Sequence, residues 1–152
     1  MKHPKHLSES NKMSIIRIAP ICNGKIYVTT HPSYEERKAH MDLPIVENAE
    51  HISPKSDKVA CKIKEKYHQH IQTDASPRFC VQHRSASPNA DTAYLYVLPL
   101  RSEGEISFRE GKFVTSEDIA EHPETYGADL QMEYELLDMA AELWADFYAT
   151  GE

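Results

Sequence analysis

The dipeptide Asn23-Gly24 is the feature that most constrains the fold of this chain. It joins two runs rich in β-branched residues, at 14–22 and 25–30. Both residues of an Asn-Gly pair tolerate positive φ, which the tightest hairpin turn requires at its two central positions. The first run is apolar at consecutive positions, as is typical of a strand covered on both faces. The sequence therefore predicts a β-hairpin with a central first strand, and places Pro20, which has no N–H, at a bulge or an unpaired position.

A helix is predicted in the middle of the chain. The Ser-Pro pair at 53–54 suits a helix start, because serine can cap a helix and proline fits its first turn. Val59, Ile63 and Tyr67 recur every four residues and would form the buried stripe of this helix. We expect the helix to end near residues 69–72.

The remaining elements complete a mixed α/β order. Strands are predicted at 78–83, 92–98, 105–108 and 112–114, and a charged loop at 31–43. A short helix should follow Thr115, which stands in capping-box spacing with Asp118. A long helix is predicted over 129–148, with an apolar face made of Leu136, Leu137, Ala140, Leu143, Trp144 and Phe147. This order predicts an α/β domain in which helices cover a mixed sheet on two sides.

Composition narrows the class of protein. The 152 residues suit a single domain, which we place at 14–150 behind a flexible, basic arm at 1–13. The net charge of -7 repels phosphate backbones and argues against nonspecific nucleic-acid binding. The sequence has no apolar run long enough for a membrane span and no secretory leader pattern. Three cysteines without a C-x-x-C pair argue against a disulfide scaffold. We therefore expect a soluble, cytoplasmic protein.

Two segments and this element order resemble the Nudix hydrolase superfamily. The family pattern is G-x5-E-x7-R-E-U-x-E-E-x-G-U, entered through Leu-Pro-Gly-Gly and Val-Glu-x-Gly-Glu segments. Residues 42–50, Asp-Leu-Pro-Ile-Val-Glu-Asn-Ala-Glu, look like a shortened form of that entrance, and residues 61–66 look like its helical turn. The hairpin, the strand at 92–98 and the segment at 113–119 also match the family layout. The resemblance covers residues 14–148 and implies an α/β/α sandwich with a mixed sheet.

The departures from the family pattern concern its chemistry. In the register of this resemblance, Cys61 stands for the family arginine and Lys62 for the glutamate that follows it. Glu65 keeps one carboxylate of the Glu-Glu pair, Lys66 replaces the other, and His68 replaces the closing glycine. Ammonium groups at carboxylate positions would repel a cation. The resemblance therefore implies a degenerate catalytic motif.

The leading functional hypothesis is binding of a small anion, a nucleotide or a diphosphate, with little or no family-type hydrolysis. Lys62 and Lys66 lie one turn apart and share a helix face, where they could meet a phosphate. Arg84 is a further candidate for contact with the anion, and Tyr94 is a candidate for the pocket wall. The alternative for the two lysines is an ordinary solvated helix face.

Two other hypotheses stay open. The first is an active pyrophosphohydrolase, in which Glu47, Glu50 and Glu65 would hold Mg²⁺ or Mn²⁺ and Glu65 and Glu50 would be catalytic. Against it stands the interpretation of these three residues as solvated surface carboxylates. The second is a non-catalytic interaction module that forms a homodimer through the apolar C-terminal helix.

Overall fold

A computed structural model describes residues 13–31, 39–48, 56–86 and 90–150, with backbone alone at 57 and 145–150. Its strands are β1 Ser14–Cys22, β2 Lys25–His31, β3 His40–Asp42, β4 Ile45–Asn48, β5 Arg78–Arg84, β6 Thr92–Pro99 and β7 Gly111–Val114. Its helices within these residues are α1 Asp57–Lys66, α2 Ser116–Glu121 and α3 Ala128–Thr150. All seven strands belong to one mixed sheet, which confirms the predicted fold class. The arm predicted at 1–13 lies, except for Met13, outside the described residues.

The predicted hairpin is confirmed. Asn23 and Gly24 have φ angles of 54° and 75°, and Cys22 pairs with Lys25 across the turn. Strand β1 then pairs along its length with β6 in parallel, and its other edge is shared between two antiparallel partners. Residues 15–18 pair with β4 and residues 21–22 with β2. Pro20 falls between these two segments, so its missing N–H costs no ladder bond on that edge.

Alternate side chains of β1 enter two separate cores, which makes the domain an α/β/α sandwich. Ile16 and Ile18 are fully buried in the core beneath α1. Ala19 and Ile21 are buried on the opposite face, in the core formed with α2 and α3. Because successive residues of a strand point to opposite faces, a strand between two layers must be apolar throughout, as the sequence predicted.

Helix α1 is shorter than predicted at its C-terminal end. Its N-cap is Ser56, whose hydroxyl accepts from the backbone N–H of Lys58 at 3.2 Å, while the start predicted at 53–54 lies outside the described residues. The helix ends at Lys66, not at 69–72. Ile71 then forms a bridge to Ile106, which a helix that continued to 69–72 could not make. The predicted stripe of Val59, Ile63 and Tyr67 does pack against the α1-side core.

Two other predictions of local structure were wrong. The segment at 31–43 is not all loop, because β2 continues to His31 and β3 pairs with it at His40–Asp42. A three-residue polar strand has too few positions to show alternation, so pattern analysis missed it. The segment at 105–108 is not a strand: a 3-10 turn occupies Glu103–Glu105, and only Ile106 forms a bridge.

The buried face of α3 is rotated relative to the prediction. Leu137 is fully buried and Trp144 packs against the core, but Leu136 and Leu143 are 39% and 65% exposed. Glu133, which the predicted face did not include, is fully buried and lies on the inner stripe of the helix, one turn before Leu137. Phe147 lies among the residues whose side chains are not described. Within the described part of the chain, every helix is too short or too polar to cross a lipid bilayer.

Candidate functional site

Three of the predicted site residues share one face of the sheet, the face covered by α1. Glu47 pairs with Ile16, which pairs in turn with Tyr94 on the next strand. Strands are spaced about 4.8 Å apart, so Tyr94 lies two spacings, about 10 Å, from Glu47 along this row. Arg84 pairs with Thr92, two positions before Tyr94 on β6, and is exposed on the same face. Arg84, Tyr94 and Glu47 therefore lie on the face of the sheet that α1 covers.

The Glu47 carboxylate is bound by the end of α1. The Lys66 ammonium lies 3.1 Å from each of the two carboxylate oxygens, and the Tyr67 hydroxyl donates to one of them. Burial and the hydrogen bond to Glu47 raise the pKa of Tyr67 to about 12, because ionisation would set two anions against each other. The Lys66 side chain is 62% exposed, against 22% for Glu47. Hence Lys66 reaches from solvent over a carboxylate that is mostly covered.

Of the remaining predicted site residues, the structure describes two. Lys62 and Glu65 are exposed on α1, and Glu50 lies outside the described residues. No three His, Cys, Asp or Glu side chains of the described segments converge on a point that could hold a metal ion. Hard divalent cations need several oxygen ligands, and the Glu47 oxygens already bind an ammonium and a hydroxyl. The metal site predicted at Glu47, Glu50 and Glu65 stays a prediction, since Glu50 lies outside the described residues.

A buried ionic cluster on the opposite face was missed by the sequence analysis. Arg17 is 1% exposed and donates through its two terminal nitrogens to Glu133 on α3 and Asp42 on β3. Burial lowers the pKa of Arg17, but Asp42 and Glu133 more than offset this, so the pKa is raised. The available signal was a single arginine inside an apolar strand, since a charge is rarely buried without partners.

Histidine and aspartate side chains extend this cluster to the edge strand. His83 Nε2 lies 2.6 Å from Glu133, and His83 Nδ1 lies 2.8 Å from the carbonyl oxygen of Arg84. With an acceptor at both ring nitrogens, the site favours the doubly protonated imidazolium. The hydrogen bond to Glu133 accordingly raises the pKa of His83, although burial opposes it. Asp129 accepts from the Ser85 hydroxyl at 2.8 Å and the Ala86 N–H at 2.6 Å. Through these contacts the cluster links α3 to β1, β3 and β5.

An apolar stripe on α3 bears on the predicted homodimer. Its members are exposed and recur at spacings of four, three and four residues: Met132, Leu136, Met139 and Leu143. Residues 128–150 contain six acidic residues and no lysine or arginine, so two copies of this helix packed together would oppose like charges. The homodimer stays a prediction.

Comparison with known proteins identifies the fold. No family model and no curated protein matches the sequence. Among solved structures, the chain is similar to a MutT/Nudix family protein from Listeria innocua, with a TM-score of 0.57, 12% identity, and 91% and 98% of the two chains covered. It is similar to a Nudix family hydrolase from Clostridium perfringens, with a TM-score of 0.55, 13% identity, and 85% and 98% covered. It is also similar to a MutT protein from Methanosarcina mazei, with a TM-score of 0.55, 16% identity, and 85% and 94% covered. The chain has the Nudix fold, as its resemblance to that superfamily predicted.

Proposed function

We propose that this Nudix-fold protein binds a small anion, of the nucleotide or diphosphate type, in the cleft beside α1, with little or no metal-dependent hydrolysis. The observation that carries the proposal is the Lys66 ammonium, 3.1 Å from both oxygens of Glu47. The chain thereby supplies its own cation at the carboxylate that a divalent ion would need.

The exposure of Lys66 makes this ion pair exchangeable. Exposed pairs contribute about 0–1 kcal/mol, because water screens them and two side chains must be held in place. A multiply charged anion can therefore draw the ammonium from Glu47 at small cost. Charge-assisted hydrogen bonds to phosphate oxygens are stronger than neutral ones, which favours this exchange.

The other candidate contacts lie on α1 or on the face of the sheet that α1 covers. Lys62 lies one turn before Lys66, so both ammonium groups face one side of α1. Arg84 approaches from the sheet, and its planar guanidinium can bind two oxygens of a phosphate at once. Tyr94 is partly buried and lies in register with Glu47 across β1, where it supplies an aromatic wall. In this proposal the three cations bind the anion and Tyr94 contacts the rest of the ligand.

The competing candidate is an active pyrophosphohydrolase. In it, Glu47, Glu50 and Glu65 would hold Mg²⁺ or Mn²⁺, and the metal would stabilise charge on the attacked phosphate. Lys66 would first have to leave Glu47. The two functions differ in whether ligand binding needs a divalent cation.

Calorimetric titration with a nucleoside diphosphate and a nucleotide sugar, in the presence of EDTA, tests the proposal. Binding should persist without metal, and Lys62→Ala or Lys66→Ala should each weaken it about tenfold, the loss of one charge-assisted contact. Lys112→Ala, at an exposed lysine on β7, is the matched control and should leave the affinity unchanged. Absence of binding at millimolar ligand refutes the proposal. So does manganese-dependent phosphate release that Glu65→Gln abolishes.

A further inference from the structure

A groove of about 520 Å³ opens at the far end of strands β5 and β6. It lies between the loop that leads from α1 into β5, the end of β6 and the side of α3. Pro99 at this end is five residues beyond Tyr94, and strands rise about 3.3 Å per residue, so about 16 Å of β6 separates it from the cleft beside α1. The volume falls in the usual range of small-molecule sites, about 300–1,000 Å³.

Hydrogen bonds within the chain hold the wall of the groove in place without a ligand. The Lys64 ammonium donates to the backbone carbonyls of Thr73 and Ala75, at 2.9 and 2.7 Å. The Thr73 hydroxyl accepts from the N–H of Ala75 at 3.1 Å, which closes the turn between them. A loop held in this way loses little further entropy on binding, and preorganisation of this kind favours affinity.

The charged side chains that line the groove can bind an anion. Arg78 opens β5, and Arg101 follows β6, so two guanidinium groups come from separate elements. Two carboxylates also line the wall, but Glu105 accepts from the backbone N–H of Arg101 at 2.8 Å and thereby serves the fold of the wall. Asp74 is exposed and can accept a hydrogen bond from a ligand N–H or hydroxyl.

The groove also has an aromatic wall. Trp144 lines it from α3 and is half-buried against the core on that face. An indole offers a large flat surface for contact with another ring. If a planar ring packs against Trp144, an anionic group attached to that ring lies in the same groove as Arg78 and Arg101.

We infer that this groove is a second binding site, which takes a small anion that carries a planar ring. Arg78 and Arg101 bind the anionic group, and Trp144 contacts the ring. The cleft beside α1 contributes no residue to this site, so the inference stands apart from the function proposed for that cleft.

Trp144 is the single tryptophan of the chain, so its fluorescence reports directly on the groove. Three probes separate the two parts of the ligand: adenosine monophosphate, adenosine, and ribose 5-phosphate. We expect the monophosphate to change the fluorescence with saturation, and to bind at least about tenfold more tightly than either fragment. Equal affinity for adenosine would overturn the role of the arginines, and equal affinity for ribose 5-phosphate would overturn the role of the ring.

Charge-removing variants test the placement of the anion. Arg78→Gln and Arg101→Gln should each weaken the monophosphate about tenfold, whereas Arg109→Gln, at an exposed arginine outside the groove, should not. Lys66→Ala should also leave the fluorescence titration unchanged. A fluorescence response that survives both groove variants, or no response at millimolar monophosphate, would overturn the inference.

Discussion

Two cation–carboxylate contacts on opposite faces of the sheet differ chiefly in burial. Arg17 and Glu133 are each 1% exposed, whereas Lys66 and Glu47 are 62% and 22% exposed. A buried ion has lost its water shell, so each partner depends on the other for solvation. An exposed ammonium exchanges its carboxylate for water or for another anion at little cost. The first contact therefore fixes the position of α3, and the second is exchangeable, as the proposed binding of an anion by Lys66 requires.

The largest predicted effect follows from breaking the buried contact. Arg17→Met should lower the free energy of unfolding by about 3–5 kcal/mol, because it removes the buried cation shared by Asp42 and Glu133 and leaves Glu133 with His83 alone. Lys66→Met is the matched control at the exposed contact and should cost no more than about 1 kcal/mol. Urea denaturation measures both values. Equal losses for the two variants would mean that burial does not distinguish the contacts.

A smaller effect concerns pH and His83. Glu133 raises the pKa of His83 above its ordinary value, so the imidazolium stabilises the fold most fully below about pH 6.5, the unfolded value. This contribution should be lost as the pH rises through the pKa of His83 in the folded protein. The unfolding free energy of the wild type relative to His83→Gln, measured across this interval, should fall with rising pH. A difference that stays constant or rises would contradict the assignment.

The smallest effect is at the exposed contact itself. Tyr67→Phe removes the hydroxyl that donates to Glu47 and should lower the free energy of unfolding by about 1 kcal/mol, as is usual for one hydrogen bond.

In Glu47→Gln, the pKa of Tyr67 should fall below its present value of about 12, though burial should keep it above 10. Ultraviolet titration of the phenol measures this pKa. An unchanged value would show that Glu47 does not act on Tyr67.

The parts of the fold that could be predicted depend on contacts between residues close in sequence. The Asn23-Gly24 turn needs only its own backbone preference, and the cap at Thr115 joins its hydroxyl to the N–H of Asp118 three residues on. The predicted face of α3 did not include Glu133, which is buried opposite Arg17, 116 residues earlier in the chain. No local periodicity encodes such a partner.

The candidate site likewise combines a feature that is visible in the sequence with contacts that only the fold creates. The helical spacing of Lys62 and Lys66 was visible in the sequence, and both lie on α1. The pairing of Lys66 with Glu47 spans 19 residues and depends on where β4 lies beside β1. The groove at Arg78 and Arg101 was not predicted, because it is formed by elements that are adjacent only after folding.

Titration of the protein with Mn²⁺, with the free ion followed by electron paramagnetic resonance, tests most directly whether Lys66 replaces a metal at Glu47. We predict that the wild-type protein leaves Mn²⁺ free at millimolar concentration. Binding of one Mn²⁺ per chain, abolished by Glu47→Gln, would contradict the account.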